Sequence, residues 1–123
     1  MDDDSIREIF DGLGPVTIRR MFGGKGIYHR GLIVAVVLGE GELMIKGDAA
    51  SGPEIEAAGG RRWVYEMKGR AGKMPYWTIP EAALDDPEEL TIWTRKAYEA
   101  AVRSQAAKLA APSRPARSAK SSP

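Results

Sequence analysis

The chain has 123 residues, a formal net charge of +1 and no cysteine. Its length suits a single domain, and its 43% apolar and 28% charged residues are typical of a soluble globular protein. The absence of cysteine excludes disulfides, thiolate zinc sites, iron–sulfur clusters and cysteine nucleophiles. Because His29 is the single histidine, multi-histidine metal sites are excluded as well, and we expect neither a metal nor another cofactor.

The two ends of the chain differ from its middle. Residues 1–4, Met-Asp-Asp-Asp, lack the basic start and apolar core of a signal peptide. The longest apolar run, 32–38, has seven residues, whereas a membrane span needs about 20. We therefore expect a cytoplasmic protein without a membrane partner. Residues 112–123 hold only proline, serine, alanine and three basic residues, which predicts a disordered basic tail after a domain over 1–111.

The first half of this domain reads as one helix followed by strands. Ser5 and Glu8 form a capping box, and apolar residues then recur at helical spacing. Strands are predicted over 16–22, 32–38 and 42–46. Residues 27–29 fit either of the first two strands. The unbroken apolar run 32–38 indicates a central strand that is covered on both faces.

The second half reads as helix, two strands and helix. A short helix is predicted over 51–58, ended by two glycines. Strands over 63–67 and 74–79 flank a basic turn at 68–73, and Pro75 indicates an edge position or a bulge. A last helix is capped by Asp86 and runs to about Ala111. It buries a face made of Leu90, Trp93, Ala97 and Ala100.

This order predicts an α+β fold. The elements form a two-layer α-β(3)-α-β(2)-α domain with a mainly antiparallel, five-stranded sheet.

Three patterns invite a catalytic or ligand-binding interpretation. Residues 23–26, Gly-Gly-Lys-Gly, lack the Ser or Thr and the following helix of a phosphate loop, so they indicate a bend between strands. The acidic run 81–89 is explained by helix capping rather than cation binding. His29 beside a turn is typical of a surface residue, and no G-x-S-x-G motif accompanies it. We therefore expect no enzymatic activity.

Segment 61–77 interleaves basic and aromatic residues. Basic side chains bind phosphates and aromatic rings stack on bases, so one hypothesis is weak nucleic-acid binding by this hairpin and the basic tail. The alternative is that the aromatic rings pack in the core and the charges are solvated. The candidate nucleic-acid-binding residues are Arg61, Arg62, Lys68, Arg70 and Lys73.

Several segments, read in order, resemble one known family. They are Arg19-Arg20-Met21-Phe22-Gly23-Gly24, Gly26-Ile27-Tyr28, Gly31, Leu43-Met44-Ile45-Lys46, Ala57-Ala58-Gly59, Trp63-Val64-Tyr65, Met74-Pro75-Tyr76-Trp77, Pro80-Glu81 and Trp93-Thr94-Arg95-Lys96-Ala97. Over about residues 5–105 the chain is similar to the N-terminal domain of the TfoX/Sxy competence-regulator family.

The resemblance implies a bacterial protein with a fold like that of type III secretion chaperones. Family members promote expression of DNA-uptake genes together with the cyclic-AMP receptor protein, and no catalytic residues are established. Longer members carry a second, C-terminal domain of DNA-binding appearance, whereas here the last predicted helix is followed by the basic tail, so we expect a stand-alone domain. Met44 stands where the family often has an aromatic residue.

The main hypothesis is therefore a regulatory or adaptor protein that binds another protein, with the transcription machinery as a candidate partner. Paired arginines beside an exposed glycine bend suggest the contact surface. A homodimer is a further expectation, because helices beside an antiparallel sheet can pair symmetrically. The candidate partner-binding residues are Arg19, Arg20, Phe22, Gly23, Gly24, Lys25 and Tyr28.

Overall fold

A computed structural model describes residues 1–21 and 23–110. The helices are α1 (Asp3–Ile9), α2 (Gly52–Ala57) and α3 (Pro87–Ala110), and a short 3-10 turn covers Glu81–Ala83. The strands are β1 (Thr17–Met21), β2 (Gly24–His29), β3 (Leu32–Val37), β4 (Leu43–Lys46), β5 (Arg62–Met67) and β6 (Arg70–Thr78). The predicted tail, 112–123, lies outside the described residues.

The strands form one sheet in the order β1-β2-β3-β4-β6-β5, with every neighbouring pair antiparallel. The predicted α+β class and antiparallel sheet are confirmed, but the count of five strands is wrong by one. Residues 24–29 form a strand of their own because two tight turns bound them. Gly23 has φ 78° at one end, and Arg30 and Gly31 have φ 52° and 83° at the other.

One row of cross-strand partners defines the core face of the sheet. The row passes through Ile18, Ile27, Ala35, Ile45 and Trp77, each paired with the next. All five belong to the core or pack against it. The helices add Ile6, Ile55, Leu90, Trp93, Ala97 and Ala101 to the same cluster, and Phe10 joins it directly after α1. The domain therefore has two layers.

The other face of β3 differs from the prediction. Val34 and Ala35 are both fully buried, because a β-bulge at Ile27/Tyr28 inserts an extra residue between two ladder positions. Ile33 and Val36 on the far face are half-buried. The expectation of a strand covered on both faces is therefore wrong for the face opposite the helices.

The helix boundaries show which capping signals the chain uses. Helix α1 is capped by Asp2, whose Oδ1 accepts the N–H of Ser5 at 2.8 Å. The predicted capping box at Ser5 is therefore wrong: a carboxylate three residues earlier caps equally well and starts the helix sooner. The Asp86 cap of α3 is confirmed, since its Oδ1 accepts the N–H groups of Glu88 and Glu89 at 3.0 and 3.3 Å.

The short helix predicted over 51–58 is confirmed as α2, with proline in its first turn. None of the described helices combines the length and the apolar character needed to span a bilayer.

Candidate functional site

The β1–β2 hairpin carries most of the candidate partner-binding residues, and the register divides them between two faces. Arg19 pairs with Gly26, and Arg20 pairs with Lys25. Since side chains alternate along a strand, Arg19 and Arg20 lie on opposite faces of the sheet. Gly23 lies in the hairpin bend and Gly24 begins β2, where a side chain would collide with the Val37 carbonyl oxygen. Phe22 lies outside the described residues.

Lys25 ties the hairpin to the start of the chain. Its Nζ donates to Asp3 Oδ1 at 2.8 Å and to the Met1 carbonyl oxygen at 2.9 Å. The Lys25 ammonium lowers the pKa of the Asp3 carboxyl. The Lys25 side chain is 19% exposed, whereas its partner Arg20 is exposed. Lys25 therefore has a structural contact of its own, and the hairpin presents Arg20 and Arg19 on its two sides.

The sheet face opposite the helices, here called the open face, is lined mainly by apolar and aromatic residues, of which Met44 is buried and Ile33 and Val36 are half-buried. A second row of cross-strand partners crosses it through Arg19, Gly26, Val36, Met44 and Thr78. Gly26 leaves a gap that neighbouring side chains fill. A Cβ atom there would lie 2.6 Å from Met21 Cε, 3.1 Å from Tyr28 Cε1 and 3.5 Å from Ile33 Cδ1.

Two cations lie against aromatic rings on the open face. The Arg19 guanidinium is 5.3 Å from the centre of the Tyr28 ring, and Lys46 Nζ is 5.3 Å from the centre of the Tyr76 ring. The ring of Trp63 lies 6.3 Å from that of Tyr76 at 51°. Each cation is thus held in place beside an apolar surface by attraction to the ring.

Burial changes the titration of two of these groups. Removal from water lowers the pKa of Lys46, and nearby Lys108 adds to this effect. Burial also raises the pKa of Tyr76, with a smaller contribution from the nearby Tyr28. The Lys46 charge is therefore partly desolvated, which strengthens its interaction with any acidic group that approaches.

The charged side chains on the open face of β1 to β4 are all positive. Among the described residues of β1 to β4, its charged positions are Arg19 and Lys46, and none is an aspartate or glutamate. The domain as a whole has more acidic than basic residues outside the tail. The positive character of this face is therefore a local property, arising from which residues the strand register turns outward.

Strands β5 and β6 form a hairpin with a tighter turn than the sequence indicates. The turn consists of Lys68 and Gly69, with φ 53° and 77°, as in a two-residue type I′ hairpin. Residues 70–73 belong to β6, with Gly72 paired to Tyr65. The predicted turn over 68–73 is therefore wrong, because Lys68 and Gly69 both adopt the left-handed conformation that allows an immediate reversal.

Pro75 lies at an irregularity inside the sheet. Arg62 pairs with Trp77 but Val64 pairs with Lys73, so β6 contributes extra residues opposite Trp63. The bulge prediction is confirmed, and the edge alternative is wrong because β6 lies between β4 and β5. The Pro75 carbonyl accepts the Gly47 N–H at 3.0 Å, so the bulge remains tied to the loop after β4.

The five candidate nucleic-acid-binding cations divide into two groups. Arg61 Nη2 lies 3.0 Å from Glu42 Oε2, and the Arg62 guanidinium lies 4.6 Å from the centre of the Trp77 ring. These two are engaged with the body of the domain. Lys68, Arg70 and Lys73 are exposed on the far half of the hairpin.

The aromatic residues of segment 61–77 also divide. Tyr76 and Trp77 are buried, but Trp63 is half-buried on the open face and Tyr65 is 42% exposed over Gly72. The expectation that these rings pack in the core is therefore correct for Trp77 and wrong for Trp63 and Tyr65. Their alternation on β5 turns them away from the helices. Tyr76 is buried on the open face, outside the core cluster.

His29 has a structural position rather than the predicted surface position. It is 6% exposed, its Nδ1 lies 2.7 Å from the Pro15 carbonyl oxygen, and its ring meets Tyr98 edge-on at 5.0 Å. The turn between β2 and β3 does not expose His29, because alternation along β2 places its side chain on the core face of the sheet with that of Ile27.

Sequence reasoning found Arg19 and Tyr28 but missed Lys46 and Tyr76. The missing signal is the register: Lys46 in β4 pairs with Tyr76 in β6, a residue 30 positions further along the chain. Nothing in the local sequence of either strand shows this pairing.

Comparison with known families supports the resemblance seen in the sequence. A family model described as the TfoX N-terminal domain matches residues 8–101, about three quarters of the chain. A comparison with individual curated proteins gave no match. The matched range runs from α1 to the middle of α3 and includes the whole sheet with its open face. The chain therefore belongs to the TfoX N-terminal domain family.

Proposed function

We propose that this protein is a non-enzymatic regulatory adaptor and that it binds an apolar, acidic segment of a protein partner on the open face. The observation that carries the proposal is the positive open face, where Arg19 and Lys46 lie against the rings of Tyr28 and Tyr76. Membership of a competence-related regulatory family supports a role in the expression of DNA-uptake genes, with the transcription machinery as the source of the partner.

The chemistry of the open face favours this kind of partner. Half-buried Tyr28, Ile33 and Val36 offer apolar surface whose further burial stabilises a complex. A carboxylate on the partner would meet Arg19 or Lys46, each of which already has its charged group near the face of an aromatic ring. Such charge complementarity mainly determines which partner binds and how fast it associates.

A second copy of the chain is a poorer occupant of this face. Pairing two open faces would bring Arg19 and Lys46 of both copies onto one surface without an acidic group from the same strand positions. Like charges placed opposite each other in an interface disfavour the wrong pairing. A homodimer of this protein would therefore use another surface.

The proposal is tested by genetic complementation in the native host. The gene is deleted, transcripts of DNA-uptake genes are measured, and the deletion is complemented with the wild type, with Arg19→Glu/Lys46→Glu, or with Arg7→Glu/Arg95→Glu. The last variant is the matched control, since Arg7 and Arg95 are exposed helix residues away from the open face. Circular dichroism confirms that each variant folds.

We expect the deletion to lower these transcripts, and the wild type and the control variant to restore them. The open-face variant should fail to restore them although it folds. Unchanged transcripts in the deletion strain would contradict the role in DNA uptake. Full restoration by the open-face variant would contradict the assignment of the surface.

A further inference from the structure

The far half of the β5–β6 hairpin extends beyond the rest of the sheet. Among the described residues, β4 pairs with β6 at residues 76–78, whereas the pairs from Val64↔Lys73 to Met67↔Arg70 join β5 and β6 to each other. Strand β5 is also the last strand of the sheet. Residues 64–73 therefore form a two-stranded ribbon with its own turn, here called the ribbon tip.

The ribbon tip has a concentrated positive charge. It contains Lys68, Arg70 and Lys73 against the single acidic residue Glu66, and all four are exposed. Within the described part of the chain, none of the three cations takes part in an ion pair. By contrast, Arg61 and Arg62 at the base are held by Glu42 and Trp77. The charges at the tip are thus available to an outside partner.

The dimensions of the ribbon tip match a groove of double-stranded DNA. Neighbouring strands lie about 4.8 Å apart, and the major groove, about 12 Å wide and 8.5 Å deep, admits a two-stranded ribbon. Four residues of an antiparallel strand span about 14 Å, more than the depth of the groove. The turn at Lys68 and Gly69 adds no bulk, because it has only two residues.

From this shape and charge we infer that the ribbon tip inserts into a groove of double-stranded DNA, where Lys68, Arg70 and Lys73 contact phosphates. The exposed side chain of Val64 would lie against the sugar edge. This inference concerns a different surface from the open face, so either can fail without the other. Of the five basic residues of the hairpin that the sequence predicts to bind nucleic acid, this inference keeps the three at the ribbon tip.

Single-stranded nucleic acid fits this surface less well. Stacking needs several aromatic rings with a free face. The Tyr65 ring covers Gly72, and Trp63 lies beside Tyr76 at the base of the hairpin. The ribbon tip therefore offers phosphate contacts without a series of stacking platforms.

In the test, a fluorescently labelled DNA duplex of about 20 base pairs is titrated with the full chain at several salt concentrations. Fluorescence anisotropy reports the fraction of duplex that is bound. The tip variant is Lys68→Gln/Arg70→Gln/Lys73→Gln. The matched control is Arg7→Gln/Arg30→Gln/Arg95→Gln, which removes three exposed cations elsewhere. A third variant, Arg114→Gln/Arg117→Gln/Lys120→Gln, measures the contribution of residues 112–123.

We expect the tip variant to bind the duplex at least about tenfold more weakly than the wild type, while the control variant keeps most of its affinity. Three lost phosphate contacts should reduce the slope of log K against log salt by about 2.7. The Arg19→Glu/Lys46→Glu variant should lose less affinity than the tip variant, which separates this inference from the proposed function.

Several outcomes would overturn the inference. They are undiminished binding by the tip variant, an equal loss in the control variant, or complete loss in the 114–120 variant alone. Absence of duplex binding by the wild type at low salt would overturn it as well. Tighter binding to a single strand of the same sequence would assign the tip to stacking instead. Because the substituted side chains are exposed, the tip variant should unfold at the wild-type temperature.

Discussion

Arg103 holds Asp48 through two contacts: Nε lies 2.7 Å from Oδ2, and Nη2 lies 3.1 Å from Oδ1. Asp48 lies in the loop between β4 and α2, and Arg103 lies in the second half of α3. The Asp48 Oδ1 also accepts the N–H groups of Ala50 and Ser51, each at 3.0 Å. One carboxylate therefore shapes the entry to α2 and fastens this loop to the longest helix.

Replacing Asp48 should destabilise the domain more than replacing Arg103. Asp48→Ala removes the ion pair and the two loop hydrogen bonds, so we expect a loss of about 1–2 kcal/mol. Arg103→Ala removes only the partly exposed ion pair, for which we expect about 0.5–1 kcal/mol. Urea unfolding measures both values. Equal losses for the two variants would show that the loop hydrogen bonds contribute nothing.

The same pair predicts a dependence of stability on pH. The ion pair with Arg103, assisted by backbone N–H donors, holds the pKa of the Asp48 carboxyl well below its usual range. A carboxyl whose pKa is lower in the folded state stabilises fully above its unfolded value of about 3.9 and loses this effect as pH falls further. We expect the stability difference between the wild type and Asp48→Asn to be constant from pH 7 to 5 and to shrink below pH 4. A difference that grows on acidification would contradict the pairing.

Gly52→Ala should destabilise the domain, although alanine usually stabilises a helix more than glycine does. A Cβ at position 52 would lie 2.6 Å from Trp77 Cζ2. The Trp77 ring cannot move easily, because it is 2% exposed and its Nε1 donates to Glu56 Oε2 at 2.7 Å. We expect a loss of about 1–3 kcal/mol in chemical unfolding, as for other overpacked cores.

Gly39→Ala is the matched control for this substitution. The nearest atom to a Cβ at position 39 is the Gly23 carbonyl oxygen, at 3.6 Å, an ordinary contact distance. This variant should unfold at the same urea concentration as the wild type or slightly above it. Similar losses at positions 39 and 52 would show that the Trp77 ring is not the cause.

His29→Ala should destabilise the domain by about 2–3 kcal/mol. The change would leave the Pro15 carbonyl without its partner and would open a cavity beside Tyr98. The neighbouring Arg30→Ala removes an exposed side chain and should alter stability by less than about 0.5 kcal/mol. Thermal unfolding, monitored by circular dichroism, compares the melting temperatures of the two variants with that of the wild type. Equal melting temperatures would place His29 on the surface, as the sequence alone indicates.

The features that sequence predicts well are those set by a few adjacent residues. The cap at Asp86 and the turn at Gly23 follow from local hydrogen bonding and backbone freedom. The bend predicted over 23–26 is wrong for 24–26, which begin β2 because they pair with β1. Even at α1, Asp2 and Ser5 both satisfy the rule for a helix cap, and only the fold shows which one is used.

The features that sequence reasoning misses depend on strand pairing. Lys25 looks like a free surface cation until the fold brings Asp3 beside it. Trp63 looks like a core residue until the register turns it to the open face beside Tyr76. The composition of each strand is compatible with either orientation, and a shift of one residue exchanges the two faces.

The bulge at Pro75 divides the β5–β6 hairpin into a base that shares hydrogen bonds with β4 and a tip that does not. Opening the backbone bonds of the tip therefore exposes no core residue. Amide hydrogens there should exchange with solvent through local openings, far faster than those of β3. The orientation of the tip relative to its base can therefore change without the free energy needed for global unfolding. The ribbon can thus adapt to a bound surface while the rest of the domain keeps its structure.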